Sequence, residues 1–167
     1  MKRRSFLRAA GVTGGFALGI CRLRAALSTP ARAVPRRVLG RTGASVPVVG
    51  FPGFGLIHDE QPACTAALHA AIDMGLDYLD VAPAYRDAEA KMGVGLRGIA
   101  RDRYFLACKT KMRDAAGARQ ELERSLQTLG TDHFDLYQLH HLRTDEEVAQ
   151  TLAPGGAMEA FTRARDE

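Results

Sequence analysis

Residues 104–140, YFLACKTKMRDAAGARQELERSLQTLGTDHFDLYQLH, contain an apolar strand, an amphipathic helix and a second apolar strand in succession. The first strand, residues 104–108, is too apolar to have one face in water. Residues 114–130 carry apolar side chains at helical spacing and end on a glycine, which is typical of a helix C-terminus. These side chains are Ala118, Leu122, Leu126 and Leu129. Strand, helix and strand in this order normally form a right-handed parallel crossover, which predicts an α/β fold.

The same alternation extends in both directions along the chain. We predict strands at residues 46–51, 77–81, 104–108 and 134–140, and helices at residues 62–75, 88–98, 114–130 and 155–167. Four strand-helix repeats are compatible with an open doubly wound sheet and with part of a (β/α) barrel. Composition and periodicity leave both architectures open.

Polar side chains stand at the ends of three of the predicted strands. Asp80 closes the second strand, Tyr85 lies in the loop after it, Lys109 follows the third strand and His140 closes the fourth. The carboxyl ends of parallel strands meet at one edge of a sheet, where α/β proteins place their sites. We therefore expect the four side chains to converge.

The four side chains form a chemically coherent set. Lys109 directly follows an apolar run, so its charge is partly desolvated and needs an anion such as Asp80. The ion pair keeps a positive charge next to Tyr85, which favours release of the phenolic proton. Tyr85 can then protonate an oxygen that develops negative charge, while His140 donates a hydrogen bond to it. A carbonyl group that receives a hydride needs this combination.

Two of these assignments have a neighbouring competitor. Lys111 lies two residues after Lys109 and would point to the same side of a strand, but Lys109 is nearer the apolar run and is preferred. His141 competes with His140, and adjacent strand residues point to opposite sides. Asp80 and Tyr85, each taken alone, are also compatible with purely structural roles.

Four segments resemble the aldo/keto reductase family over residues 36–165. They are RRVLGRTGASVP, GLDYLDVAPAYRDAEAKMGVGL, FLACKTK and ELERSLQTLGTDHFDLYQLHHL. The resemblance implies a (β/α)8 TIM-type barrel, NADPH as hydride donor, a small-molecule carbonyl substrate and no nucleic-acid partner. By motif, the catalytic tetrad of the family falls on Asp80, Tyr85, Lys109 and His140, and Asp80 is also expected to contact the cofactor.

The chain departs from the family pattern at several positions and in its length. Arg86 stands where the family usually has glycine, Ala88 replaces a serine, Val81 replaces a threonine, and Cys108 precedes the lysine. Family members continue for roughly four further strand-helix units. We therefore expect a truncated half barrel that is inactive alone and self-associates through its open edges. The alternative is a catalytically inactive remnant or interaction module of the same fold.

The net charge of +4 comes from the N-terminal segment, because residues 1–33 hold seven basic and no acidic residues. The remainder has 16 basic and 19 acidic residues, so the charge is not evidence for nucleic-acid binding. The start, MKRRSFLRAAGVTGGFALGIC, resembles a bacterial twin-arginine signal, and Ala31-Arg32-Ala33 fits a cleavage site. We expect the twin-arginine translocation machinery to export residues 34–167 to the periplasm. A basic tail, an anchor, or lipidation at Cys21 are the alternatives.

A third candidate function is that of a metal-dependent barrel hydrolase. It would use His133, Asp135, His140 and His141. Metal ligands on a strand normally alternate so that both point inward, and the adjacent pair His140–His141 does not. Cys64 and Cys108 have no spacing typical of a zinc site or a disulfide framework, so we predict buried, inert thiols and no metal.

Overall fold

The computed structural model describes residues 33–167. In these residues the strands are β1 (Arg36–Val38), β2 (Ser45–Pro47), β3 (Phe51–Pro52), β4 (Tyr78–Asp80), β5 (Phe105–Thr110) and β6 (Leu136–Leu139). The α-helices are α1 (Gln61–Asp73), α2 (Ala88–Gly95), α3 (Ala115–Leu129), α4 (Asp145–Leu152) and α5 (Ala157–Asp166). The predicted export signal and Cys21 lie outside the described residues.

Strands β3, β4, β5 and β6 form a parallel sheet in that spatial order. Asp80 lies opposite Ala107 in the β4–β5 pair, and Lys109 lies opposite Gln138 in the β5–β6 pair. Helices follow β3, β4, β5 and β6 in the chain, as crossovers between parallel strands require. The predicted second, third and fourth strands are therefore confirmed, and β5 extends two residues further than predicted.

The prediction of one continuous strand over residues 46–51 is wrong. Its first part belongs to β2, which pairs antiparallel with β1, and only Phe51–Pro52 joins the parallel sheet. A side chain on Gly50 would meet the Tyr78 ring at 2.8 Å, so the backbone passes close to β4 there. Pro47 and Pro52 lack the N–H that a longer ladder needs, so each proline ends a short strand.

The helix α3 has the capping groups that its sequence predicts. The carboxylate of Asp114 accepts a hydrogen bond from the Gly117 N–H at 2.8 Å, and Gly130 ends the helix with a φ of +68°. Helix α2 packs between α1 and α3. Gly93 makes this packing possible, because a β-carbon there would collide with the Thr128 carbonyl at the end of α3.

Helix α4 is absent from the sequence-based prediction, which placed a single helix at residues 155–167. The hydroxyl of Thr144 accepts a hydrogen bond from the Glu147 N–H at 3.2 Å, and Glu147 in turn accepts from the Arg143 N–H at 2.7 Å. The sequence signal was a capping motif, Thr144 followed three residues later by Glu147.

The core lies between the sheet and helices α1, α2 and α3. Its fully buried members include Leu68, Leu79, Met92, Leu106 and Cys108. Cys64 and Cys108 are buried and free, as predicted. Over residues 33–167, no helix combines the length and apolar character needed to cross a membrane.

Candidate active site

Asp80 and Lys109 form an ion pair at the carboxyl edge of the sheet. The Lys109 Nζ donates to both carboxylate oxygens of Asp80, at 2.5 and 2.6 Å. Asp80 ends β4 and Lys109 lies near the end of the adjacent β5, so the parallel register brings the two side chains together. The pairing that the sequence analysis expected is present.

The ion pair keeps Lys109 charged. Burial lowers the pKa of the Lys109 ammonium, but hydrogen bonds and charge from Asp80, together with Tyr85, outweigh burial and leave this pKa above its ordinary value of 10.5. Lys109 is therefore a permanent cation at neutral pH. Its nitrogen lies 5.3 Å from the centroid of the Tyr85 ring.

Tyr85 is presented by a tight turn after β4. The Tyr85 N–H donates to the Ala82 carbonyl at 3.0 Å, and the Tyr85 carbonyl accepts from the Ala88 N–H at 2.9 Å. The next residue, Arg86, has a φ of +52°. This conformation favours glycine, which explains why the family pattern has glycine at this position.

His140 lies against Tyr85 and is buried. The two rings meet edge to face with centroids 5.4 Å apart, and His140 is 6% exposed. Burial, followed by the nearby charges of His141, Lys109 and Lys111, lowers the pKa of His140 from 6.5 to about 4. The imidazole is therefore neutral at neutral pH and carries one N–H that it can donate.

The two competing residues are exposed, although the His141 ring lies beside the His140 ring, with centroids 4.3 Å apart. Lys111 is exposed, and no ion pair joins it to an acidic residue in the part of the chain that the structure describes. His141 is also exposed, and its Nδ1 lies 3.0 Å from the Arg143 Nη2. The geometry thus brings together Asp80, Tyr85, Lys109 and His140, the four residues named from the sequence.

The residues of the alternative metal centre lie at opposite ends of β6, with His133 and Asp135 before the strand and His140 and His141 after it. Asp135 precedes β6 and binds Arg101 at 2.6 Å and the Leu106 N–H at 2.7 Å, whereas His140 follows the opposite end of β6. His133 lies beside Asp132. Among residues 33–167, no three histidine, cysteine or acidic side chains are grouped as metal ligands.

Phe54 is a site residue that the sequence analysis missed. It lies in a short 3₁₀ helix, Gly53–His58, directly after β3. Its ring meets Tyr85 edge to face at 5.3 Å, and the residue is 51% exposed. An exposed aromatic beside the proposed proton donor offers an apolar wall to a substrate. The sequence signal for Phe54 was an aromatic residue between two glycines, after the strand predicted at residues 46–51.

A buried polar layer lies on the opposite side of β5 from Lys109. The Cys108 thiol donates to the Glu89 carboxyl at 3.6 Å, and the Thr110 hydroxyl donates to Glu121 at 2.5 Å. Burial raises the pKa of Glu89, even though the Cys108 thiol donates a hydrogen bond to it. These contacts anchor β5 to α2 and α3, and so fix the strand that carries Lys109.

Comparison with known proteins identifies the family. Residues 57–164 match the Aldo/keto reductase family model. Methylglyoxal reductase YeaE from Escherichia coli is 38% identical over 102 residues, which are 58% of this chain and 36% of that protein. The chain spans about a third of the length of the curated relatives it matches.

Solved structures give the same result. The holo form of an aldo-keto reductase from Bacillus halodurans has a TM-score of 0.68 at 26% identity, over 80% of this chain and 47% of that one. An aldo/keto reductase from Klebsiella pneumoniae, in complex with NADP and acetate, has a TM-score of 0.55 at 32% identity, over 65% and 41%. With the parallel sheet, these neighbours confirm the predicted fold, part of a (β/α)8 barrel. Because the family model matches more than half of its residues, the chain belongs to the aldo/keto reductase family.

Proposed function

We propose that this chain is part of an NADPH-dependent reductase of aldehyde and ketone carbonyls. The observation that carries the proposal is the cluster of Asp80, Lys109, Tyr85 and neutral His140 at the carboxyl edge of the sheet. Relatives named as methylglyoxal and aldehyde reductases support carbonyl reduction. The complexes of the Klebsiella pneumoniae proteins with NADP or NADPH support the choice of cofactor.

The residues at the cluster fit a dinucleotide cofactor in one respect. The Asp80 carboxylate is partly exposed at the sheet edge, and each of its oxygens has a further lone pair besides the one that faces Lys109. It can therefore accept a hydrogen bond from a hydroxyl of the cofactor. When bound, NADPH would supply a hydride to the carbonyl carbon.

The side chains of the cluster would stabilise the negative charge that develops on the carbonyl oxygen and would supply a proton to it. As the carbon–oxygen double bond becomes single, the oxygen gains the electron pair, and His140 donates its N–H to that oxygen. Tyr85 transfers its phenolic proton to the oxygen, which completes the alcohol and leaves a phenolate. The Lys109 charge stabilises this phenolate, and Asp80 holds the ammonium in place. Solvent then returns a proton to Tyr85.

The proposal is tested with the full chain, if necessary completed by the C-terminal half of a relative. Tyr85→Phe should reduce NADPH-dependent carbonyl reduction by about 10²-fold to 10⁴-fold while cofactor affinity stays the same. Tyr78→Phe is the matched control, because Tyr78 stacks on Phe105 at the other end of β4 and should keep full activity. Cofactor binding without turnover in the unaltered protein would favour the second candidate, an inactive member of the fold.

We also propose that the protein is exported by the twin-arginine route, which carries folded proteins. The arginine pair Arg3–Arg4 and the acid-free N-terminal segment support this proposal. Replacing both arginines with lysine should leave the unprocessed protein in the cytoplasm, as measured by cell fractionation. Unchanged appearance of processed protein in the periplasm would contradict the proposal. Processing should leave Val34 as the new N-terminus.

A further inference from the structure

Arg113, in the loop after β5, binds the backbone that follows β6. Its Nη2 donates to the His140 carbonyl at 2.8 Å and to the His141 carbonyl at 3.1 Å. The same nitrogen lies 3.5 Å from Glu147 Oε1, near the N-terminus of α4. One guanidinium nitrogen therefore connects the segment that carries His140 to two neighbouring elements.

The backbone of His141 is adapted to this contact. Successive carbonyls of an extended strand point to opposite sides, so one nitrogen could not bind two of them in a regular strand. His141 has a φ of +56°, in the left-handed region that non-glycine residues rarely adopt. A conformation of this kind persists when surrounding contacts determine it, and the two hydrogen bonds from Arg113 are such contacts.

The burial of Arg113 indicates that its charge has a specific role. Its side chain is 11% exposed, and within residues 33–167 its Nε and Nη1 are buried with no hydrogen-bond partner. A buried cation with unsatisfied donors is unfavourable compared with an apolar side chain of similar size. The hydrogen bonds that Arg113 makes, to the carbonyls of His140 and His141 and to Glu147, involve Nη2 alone.

We propose that Arg113 is a positioning residue of His140, in addition to the backbone hydrogen bond from the His140 N–H to the Thr110 carbonyl at 2.8 Å. By holding the carbonyls of residues 140 and 141, it fixes the backbone from which the imidazole reaches Tyr85. This inference rests on the proposed function, in which His140 donates a hydrogen bond to the substrate oxygen. The groups that face His140 are Tyr85, Asp80 and Lys109, with Lys111 and His141 on the exposed side.

The test is a histidine titration of the full chain by NMR, which needs no turnover. The His140 signal is assigned by its loss in His140→Asn. In the unaltered protein it should titrate at about 4. In Arg113→Met the ring should gain contact with water, so its pKa should rise by about one unit or more towards 6.5. Exchange of its ring C–H with deuterium should accelerate, which reports water access independently of charge.

Two further variants separate geometry from charge. Arg113→Lys keeps the charge but cannot reproduce the planar guanidinium donor, so ring exchange should be intermediate. Arg119→Met is the matched control, because Arg119 lies on the outer face of α3 and pairs with Glu123 and Glu167. It should leave the His140 signal unchanged.

Unchanged titration and ring exchange of His140 in folded Arg113→Met would overturn the proposal. If Arg113→Met does not fold, the same measurements are made on Arg113→Lys. Unchanged titration and ring exchange of His140 in that variant would also overturn the proposal. In a form that turns over, Arg113→Met should lower kcat by roughly 10-fold to 100-fold with cofactor affinity retained. A shifted His140 signal without turnover in the unaltered protein would support the positioning role and count against the reductase function.

Discussion

At the scale of single residues, the site depends on which of two nearby lysines is buried against a carboxylate. Lys109 faces Asp80, whereas Lys111 lies two residues further along and is exposed. Removing one partner of a partly buried ion pair leaves the other partner desolvated and unpaired. The two lysines therefore form a matched pair for mutation.

Replacing Lys109 with methionine should damage carbonyl reduction at least as much as loss of the Tyr85 hydroxyl. The change leaves Asp80 unpaired and removes the charge that stabilises the Tyr85 phenolate. Lys111→Met should leave activity within a few-fold of the unaltered protein. The measurement is steady-state reduction by a completed form of the chain. A harmless Lys109→Met together with a damaging Lys111→Met would show that the lysine is wrongly assigned.

The depressed pKa of His140 should make the free energy of unfolding depend on pH. The folded-state pKa of about 4 lies below the ordinary value of 6.5, so the unfolded chain binds this proton more readily. This contribution to stability is present above pH 6.5 and is lost as pH falls towards 4, by at most roughly 3 kcal/mol. Urea denaturation at several pH values should show a shallower dependence in His140→Gln. Parallel curves for the two proteins would contradict this prediction.

At the scale of elements, much of the fold was readable from the sequence, because β4, β5, β6 and α3 follow simple periodic patterns. The short strand β3 could not be predicted from the sequence. Its bounds depend on Pro52 and on the close approach of Gly50 to Tyr78, and this approach is a tertiary contact. Helix α4 had a readable capping signal that was overlooked. The four site residues were found because each follows or ends a strand. Arg113 was missed because its role depends on a carbonyl contact that leaves no sequence pattern.

Gly53 shows how closely β3 and β4 approach behind Asp80. A β-carbon at this position would collide with the Asp80 carbonyl oxygen and meet Met92 Cε at 2.9 Å. Gly53→Ala should therefore displace β4 and destabilise the protein by about 1 to 3 kcal/mol, as overpacking usually does. Gly55→Ala is the control, since a β-carbon there meets no atom within 4 Å. Equal denaturation midpoints for the two variants would contradict the predicted clash.

At the scale of the whole molecule, the described sheet has open sides. Within residues 33–167, β6 pairs with β5 alone, and a groove of about 400 Å³ beside it is lined mainly by apolar side chains, with Asp132, Asp135 and Arg165 also in its lining. The apolar side chains include Leu122, Leu126, Phe134, Met158 and Phe161. An unpaired strand edge next to apolar surface favours association with another sheet.

We predict that residues 34–167, produced alone, self-associate and show no measurable NADPH-dependent reduction. Sedimentation velocity should detect species larger than the monomer. Met158→Lys, in the groove, should reduce this association because it places a charge on the apolar surface. Met74→Lys is the matched control, since Met74 is exposed and does not line the groove. A monodisperse monomer with cofactor-dependent turnover would contradict the prediction.

The burial of Cys108 gives the protein an internal reporter of sheet opening. Its thiol is completely inaccessible at the centre of β5, and burial, with the charge of Glu89, raises its pKa and so suppresses the reactive thiolate. An alkylating reagent can modify Cys108 only in molecules whose sheet has transiently separated from α2 and α3. The rate of alkylation, followed by mass spectrometry, therefore measures how often β5, the strand that carries Lys109, separates from α2 and α3.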